Sequence, residues 1–325
     1  MTSVVIIALL LLAFALASMT YVYAFRGEYR HPSLKPYLRK CWPMFAPLNC
    51  LLYMATERRA ARPLPSLEDF PELAVIRDNW ETIRSEALGL YENQEFDRIK
   101  TPGNEGYYDV GFHTFFKSGW SKYYLKWYGY THHSGQRSCP RTVELLEGIS
   151  SVKGALFTLL PPGGKLRRHS DPFACSLRYH LGLATPNSDD CWIEVDGQKY
   201  SWRDGEAFLF DETYVHHAAN ETDQYRLILM CDVARPMNLF GRLVNWVYCQ
   251  FMRLTIVPND SSDRAGGINA LFSGVAPMLE KGKQLKKTNR PLYKLIKNVI
   301  NLVALLLVIA LLAAVVYLPY QAITG

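Results

Sequence analysis

The chain has 325 residues, a net charge of +6 and a mean hydropathy near zero. Residues 26–62 carry eight Lys/Arg against two Glu, residues 280–297 carry seven against one, and residues 63–279 hold 21 basic and 27 acidic groups. A basic excess confined to the flanks excludes a nucleic-acid-binding middle, which would carry that charge itself. Seven cysteines without regular spacing and without a CxxC pair exclude a disulfide framework and a zinc ribbon.

The elements follow in chain order. No charged side chain occurs before Arg26, and residues 4–25 are predicted to form a transmembrane helix, since about 20 apolar residues cross the hydrocarbon. A second such run, 299–318, is broken only by Asn301. Both basic flanks lie on the side of the middle, so the positive-inside rule predicts two passes with the middle in the cytoplasm and both termini outside. A cleaved signal peptide ending near Ala15–Ala17 is the competing reading of the first run; the missing Lys/Arg n-region argues against it.

Residues 26–70 read as a basic membrane-proximal segment and linker, with the apolar stretch Cys41–Met54 broken by Pro43 and Pro47 and therefore lying on the membrane surface. Residues 71–235 read as the folded domain. Leu73, Ile76, Trp80, Ile83 and Leu88 space a helix over Glu72–Tyr91. Arg141–Glu147 is a short helix. Strands are predicted at Ala155–Leu160, Leu177–Leu183, Cys191–Val195, Lys199–Trp202, Ala207–Phe210 and Tyr225–Val233, with Asp196-Gly197 as a two-residue hairpin turn. The fold class is therefore mainly β: a double-stranded β-helix, or cupin-like jelly roll, with flanking helices and one transmembrane helix at each end. Residues 236–298 form an amphipathic and basic membrane-proximal segment. Within it Asn238–Leu254 has helical spacing, and it either packs on the barrel or lies at the bilayer.

The chemistry resides in His169-Ser170-Asp171 and in His216-His217. Two imidazoles and one carboxylate that leave other positions open form the ligand set of non-haem iron(II) oxygenases. In extended chain, residues 169 and 171 point the same way, so His169 and Asp171 can grip one metal. Alternation in Leu177–Leu183 puts Arg178 and His180 on one face, where a bound anion would serve as their partner. Arg226 opens the last strand. A hairpin about Glu221 sets it beside His216; a turn shifted by half a residue sets it beside His217.

These residues resemble a known family. Phe157-Thr158-Leu159-Leu160-Pro161-Pro162-Gly163-Gly164, His169, Leu177–Leu183, Phe210-Asp211-Glu212-Thr213-Tyr214-Val215-His216 and Arg226-Leu227-Ile228 together look like the aspartyl/asparaginyl β-hydroxylases, over roughly residues 70–235. The upstream Cys139-Pro140-Arg141-Thr142 also fits. The resemblance implies iron(II), 2-oxoglutarate as co-substrate and O2, with His169, Asp171 and His216 as catalytic metal ligands. It places Arg178, Arg226 and Thr158 at 2-oxoglutarate, with His180 facing the same way, and makes His217 a neighbour. The animal members lack the metal carboxylate; Asp171 makes this chain similar to the bacterial lipid A 2-hydroxylase branch. That implies a bacterial inner-membrane enzyme with periplasmic termini. It would hydroxylate a secondary acyl chain of lipid A and need no obligate protein partner. The alternatives are a tethered Asp/Asn protein hydroxylase and a non-catalytic envelope binding module.

Overall fold

Alternating β-branched and aromatic runs build two antiparallel sheets in the computed structural model, which describes residues 2–112, 116 and 119–299. The strands are β1 (Ser121–Trp127), β2 (Tyr130–Thr131), β3 (Val152–Leu160), β4 (Lys165–His169) and β5 (Ser176–Ala184), then β6 (Cys191–Val195), β7 (Gln198–Ser201), β8 (Ala207–Phe210), β9 (His216–Asn220) and β10 (Arg226–Ala234). The major sheet runs β2-β1-β3-β10-β5-β8 and the minor sheet β4-β9-β6-β7. From β3 onward the chain thus alternates between the sheets except at the β6–β7 hairpin, as a double-stranded β-helix requires.

The period-2 rule assigns each face of the major sheet. Phe157, Leu159, Tyr179, Leu181, Leu227 and Leu229 face outward into a core with Phe70, Leu73, Ile76, Ile83 and Leu90. These last come from the segment before the strands, which includes α4 (Ala74–Asp78) and α5 (Trp80–Glu92). Burying each such side chain is worth about 1.5–3 kcal/mol. The opposite phase, Thr158, Arg178, His180, Arg226 and Asp232, faces between the sheets. Gly182 shares that phase; a Cβ there would sit 1.9 Å from the Arg203 carbonyl oxygen, so only glycine fits the seam.

The predicted strands at 191–195 and 207–210 match residue for residue, and the others shift by a residue or a few. Asp196 and Gly197 both have positive φ (50° and 84°) and join β6 to β7 as a primed turn. The helix expected over Glu72–Tyr91 is broken at Asn79 into α4 and α5. The expected hairpin between residues 216 and 226 does not form: β9 pairs with β4 and β6, while β10 pairs with β3 and β5.

The membrane reading requires correction. Among the described residues no helix is long and apolar enough to cross a membrane, which removes the two-pass inner-membrane placement and its cytoplasmic domain. The first run does form α1 (Thr2–Ala24). From Ser18 onward, however, α1 is partly covered by protein: Ser18 is buried, and the Tyr37 hydroxyl donates to the Met19 carbonyl (3.1 Å). Among the described side chains, the continuous exposed aliphatic run extends from Ile6 to Leu16, with Tyr21 exposed beyond it. Eleven residues of helix span roughly 16 Å, about half the hydrocarbon thickness. Of the second run, 299–318, all but Val299 lies outside the described residues.

The segment expected to lie on a membrane surface instead packs against the barrel. α2 (Leu34–Lys40) and α3 (Ala46–Ala55) follow α1, and Asn49 of α3 donates to the Pro172 carbonyl (2.9 Å) and accepts from the Ala174 amide (3.0 Å). The helices α6 (Glu95–Ile99), α7 (His133–Ser138) and α8 (Pro140–Glu147), the last covering the short helix expected over Arg141–Glu147, precede β3; after β10 comes α9 (Leu239–Arg253), which packs on α3. The chain divides into units Met1–Ala270 and Leu271–Gly325. The helix Gly267–Thr288 carries Pro277 within it.

Candidate active site

β4 and β9 are neighbours in the minor sheet, and their register sets His169 directly opposite His216. The two rings lie 4.3 Å apart. Asp171 sits just past the end of β4, its backbone N–H donating to the Glu212 carbonyl (2.8 Å) and its carboxylate 3.5 Å from His169 Nε2. One ligand atom from each of His169, Asp171 and His216 lies within 4.8 Å of the others, a spacing that fits a single metal ion.

The tautomers fit as well. His169 Nδ1 donates to the Arg167 carbonyl (2.8 Å) and His216 Nδ1 to the Tyr214 carbonyl (3.0 Å). A carbonyl only accepts, so each Nδ1 carries the proton and each Nε2 keeps the lone pair. Burial, with His169 next in effect, pushes His216 down to about 3, so its ring is neutral and able to ligate. Burial alone would raise Asp171. Arg178, His169 and His216 outweigh that and hold it below its ordinary value. His217 points to the other face of β9, toward Glu194 (3.6 Å) and the edge of Trp192.

Arg178 faces the site but is engaged differently from the expectation. Its guanidinium pairs with Asp171 (3.2 Å), Asp232 (2.9 Å) and Glu212. Tyr128 donates to Asp232 (3.1 Å) and Ser176 to Glu212 (2.6 Å). Burial drives Glu212 well above the carboxylate range and Asp232 upward. An arginine already spent on three carboxylates orients Asp171 and offers little to a further anion.

Arg226 is the opposite case. It is 0% exposed, donates one bond to Thr158 Oγ1 (3.1 Å), and leaves Nε and Nη1 without an acceptor. Among the described residues it has no ion pair; Trp120 and Trp202 flank it at 5.0 and 4.5 Å. Burial pulls it down to about 10, still charged at neutral pH. His180 completes this end: Trp202 donates to its Nδ1 (3.3 Å), which places the proton on Nε2, and that N–H has no acceptor. Burial, with Arg226 beside it, pushes His180 well below its ordinary value and keeps it neutral. Three donor positions on Arg226 and His180, buried and unfilled, form a cradle for an anion.

A second buried cluster lies on the far side of Glu212. Asp211 accepts from Arg235 (2.7 Å) and Arg26 (2.9 Å), and from the Thr213 amide and hydroxyl. Burial alone would raise Asp211, but the two arginines hold it well below its ordinary value.

Sequence reasoning missed Glu212, Asp232, Tyr128 and Trp202. Asp232 was accessible to it: it keeps the inward phase of Arg226, Ile228 and Met230. Nothing in the local sequence marked Tyr128 or Trp202, which reach the site from other strands or loops.

Residues 77–236 match the aspartyl/asparaginyl β-hydroxylase family. An ornithine lipid ester-linked acyl 2-hydroxylase from Rhizobium tropici is 32% identical over 57% of this chain and 64% of its own length. The aspartyl/asparaginyl β-hydroxylase of Homo sapiens is 27% identical over 50% of this chain and 21% of its own. The chain thus spans less than two thirds of these relatives. The cupin domain of Schizosaccharomyces pombe Cnp3 aligns over 29% of this chain and 61% of its own, at 9% identity and a TM-score of 0.24.

Proposed function

Through residues 77–236 the chain belongs to the aspartyl/asparaginyl β-hydroxylase family, and on that premise we propose that it is an iron(II)- and 2-oxoglutarate-dependent dioxygenase that hydroxylates a lipid acyl chain next to its carbonyl. The single observation that carries this is Arg226: a fully buried cation with unfilled donors on the inner face of the barrel that also bears the His-Asp-His cluster. A dicarboxylate co-substrate supplies the missing anion, and two imidazoles with one carboxylate suit iron(II).

His169, Asp171 and His216 would hold the metal. When bound, iron(II) with 2-oxoglutarate and O2 supplies the oxidising power that replaces C–H by C–OH, leaving succinate and carbon dioxide. The chain's own residues perform the rest. Arg226 Nε and Nη1 grip one carboxylate. Thr158 already accepts from Arg226, so its hydroxyl proton turns to the same carboxylate. His180 Nε2–H donates to the co-substrate, while Trp202 fixes its ring. Arg178 keeps Asp171 ionised and aimed, and so positions a ligand. Trp120, Trp202 and Phe210 exclude water around these charges.

The proposed substrate is the secondary acyl chain of lipid A. The Rhizobium relative supports a second lipid, ornithine lipid, in which the acyl chain is likewise ester-linked. Lipid extracts from expressing cells, resolved by mass spectrometry, separate the two: one added oxygen on lipid A or on ornithine lipid, lost in His169→Ala. If neither lipid changes while the purified protein still converts 2-oxoglutarate to succinate, the lipid substrate falls and the dioxygenase stands.

A further inference from the structure

α9 carries apolar side chains on two faces. Toward protein, Val244, Tyr248 and Met252 pack into the core beside the buried Gly241 and Asn245, and a Cβ at Gly241 would lie 2.6 Å from Met237 and 3.0 Å from Ala55, so the helix seats on α3 through its glycine. The outward stripe is Leu239, Leu243, Trp246, Val247 and Leu254, each 46% to 81% exposed. Their spacing makes one continuous face. Met54 of α3, 72% exposed, and the clear run Ile6–Leu16 of α1 are also apolar and exposed, and α3 packs against both α1 and α9.

A cavity of about 610 Å³ opens beside this face, lined in part by Arg59, Lys153, Arg242, Arg253 and Trp246. Arg59 is paired with Glu57 (3.0 Å), and the other acidic lining group, Glu72, accepts from Ser151 (3.3 Å). Lys153 and Arg253 donate to the carbonyls of Ser150 (2.7 Å) and Tyr128 (2.9 Å), which leave their charge uncompensated. Arg242 has no ion pair among the described residues. The cavity therefore pairs an excess of positive charge with an apolar rim.

We propose that α9 docks on a lipid bilayer carrying anionic headgroups, its apolar stripe entering the acyl boundary and the cavity beside it taking a headgroup phosphate. Charge selects this occupant over a second copy of the chain, because a self-complementary contact would set one positively charged cavity against another. The surface also serves the site: Phe173, two residues after Asp171, packs on Tyr248 of α9 (5.4 Å) and on Phe45 (4.5 Å). The role of docking in turnover rests on the acyl-hydroxylase reading; docking itself is measured without catalysis.

The test is flotation of the full chain with phosphatidylcholine vesicles, with and without phosphatidylglycerol. Leu243→Asn combined with Val247→Asn lowers partition to anionic vesicles at least about tenfold, because two apolar side chains leave the acyl boundary. Arg242→Gln reduces partition to anionic vesicles about fivefold, the worth of one charge near the surface, and leaves neutral vesicles unaffected. Unchanged melting curves show that both variants fold. Equal partition of the double variant and the parent overturns the proposal, as does a lipid-free dimer that the double variant converts to monomer. A double variant that no longer floats yet hydroxylates detergent-dispersed lipid supports the proposal. A parent that floats through α9 but adds no oxygen to lipid supports docking and sinks the acyl reading alone.

Discussion

Two buried arginines of this barrel have the same burial and opposite company. Arg235 meets Asp211, a counter-charge it shares with Arg26; its pKa is raised, because Asp211 outweighs the burial that would lower it. Arg226 meets two tryptophans and a threonine, and its pKa falls. A satisfied buried ion pair is architecture. A buried cation whose partner is missing costs stability unless a ligand arrives, and that asymmetry distinguishes the ligand site from the scaffold.

The largest expected effect is at the metal cluster. His169→Ala or His216→Ala abolishes turnover and iron binding, measured by succinate release and by metal content, while His217→Ala leaves both close to the parent because its ring faces Glu194. A dead His217→Ala with an active His216→Ala would mean that β9 is out of register by one residue.

Arg235→Met should destabilise the protein in denaturant unfolding by up to about 3 kcal/mol, since it strips Asp211 of its nearer cation and leaves Arg26. Equal stability would remove the architectural half of the comparison.

His132 belongs with the architecture and gives it a pH signature. It is stacked on Tyr124, its Nε2 bonds the Val257 carbonyl (2.9 Å), and burial pulls it from 6.5 down to about 4. The unfolded chain takes up a proton below pH 6.5 that the folded chain refuses, so stability is complete above 6.5 and falls as pH drops toward 4. The loss is on the order of 3 kcal/mol. His132→Gln should flatten that slope in part, His180 and His216 supplying the remainder. A slope identical to the parent's would exclude His132 as a contributor.

Arg226 gives the smaller effects and the most diagnostic ones. Arg226→Lys should raise the 2-oxoglutarate KM by about 1.5–3 kcal/mol of lost charge-assisted bonding. Arg226→Met should gain about 1 kcal/mol of stability without co-substrate, the reverse of Arg235→Met, and lose the stabilisation that 2-oxoglutarate confers on the parent. If both arginines respond alike, the contrast between them is empty.

Much of this was legible in the chain. Strict alternation exposed β5, β6, β8 and β10, and with them Arg178, His180 and Arg226, because a buried sheet face imposes period 2. β4 and β9, which carry His169 and His216, escaped recognition: Lys165–His169 is polar and half exposed, and His216–Asn220 is short and lacks β-branched residues. The assembly of the site was also hidden, since local pattern suggests a hairpin between residues 216 and 226 where the fold changes sheets. The engagement of Arg178 by Glu212 and Asp232 is likewise a tertiary fact. The apolar Met1–Phe25 misled because hydropathy does not register that the second half of a helix is partly covered by protein.

The contact of Arg26 with Asp211 ties the far end of the chain to the chemistry. Arg26 lies just past α1 and is sandwiched between the rings of Tyr53 and Tyr214 at 4.0 and 3.6 Å. Asp211 adjoins Glu212, Glu212 pairs with Arg178, and Arg178 holds Asp171. Removing the N-terminal helix to ease purification would therefore not merely trim an appendage: a cut beyond residue 26 withdraws the outer bolt of a chain of buried contacts whose last member is Asp171. The helix and the reactive centre are mechanically one part, and a shortened chain has to retain Arg26 to keep them so.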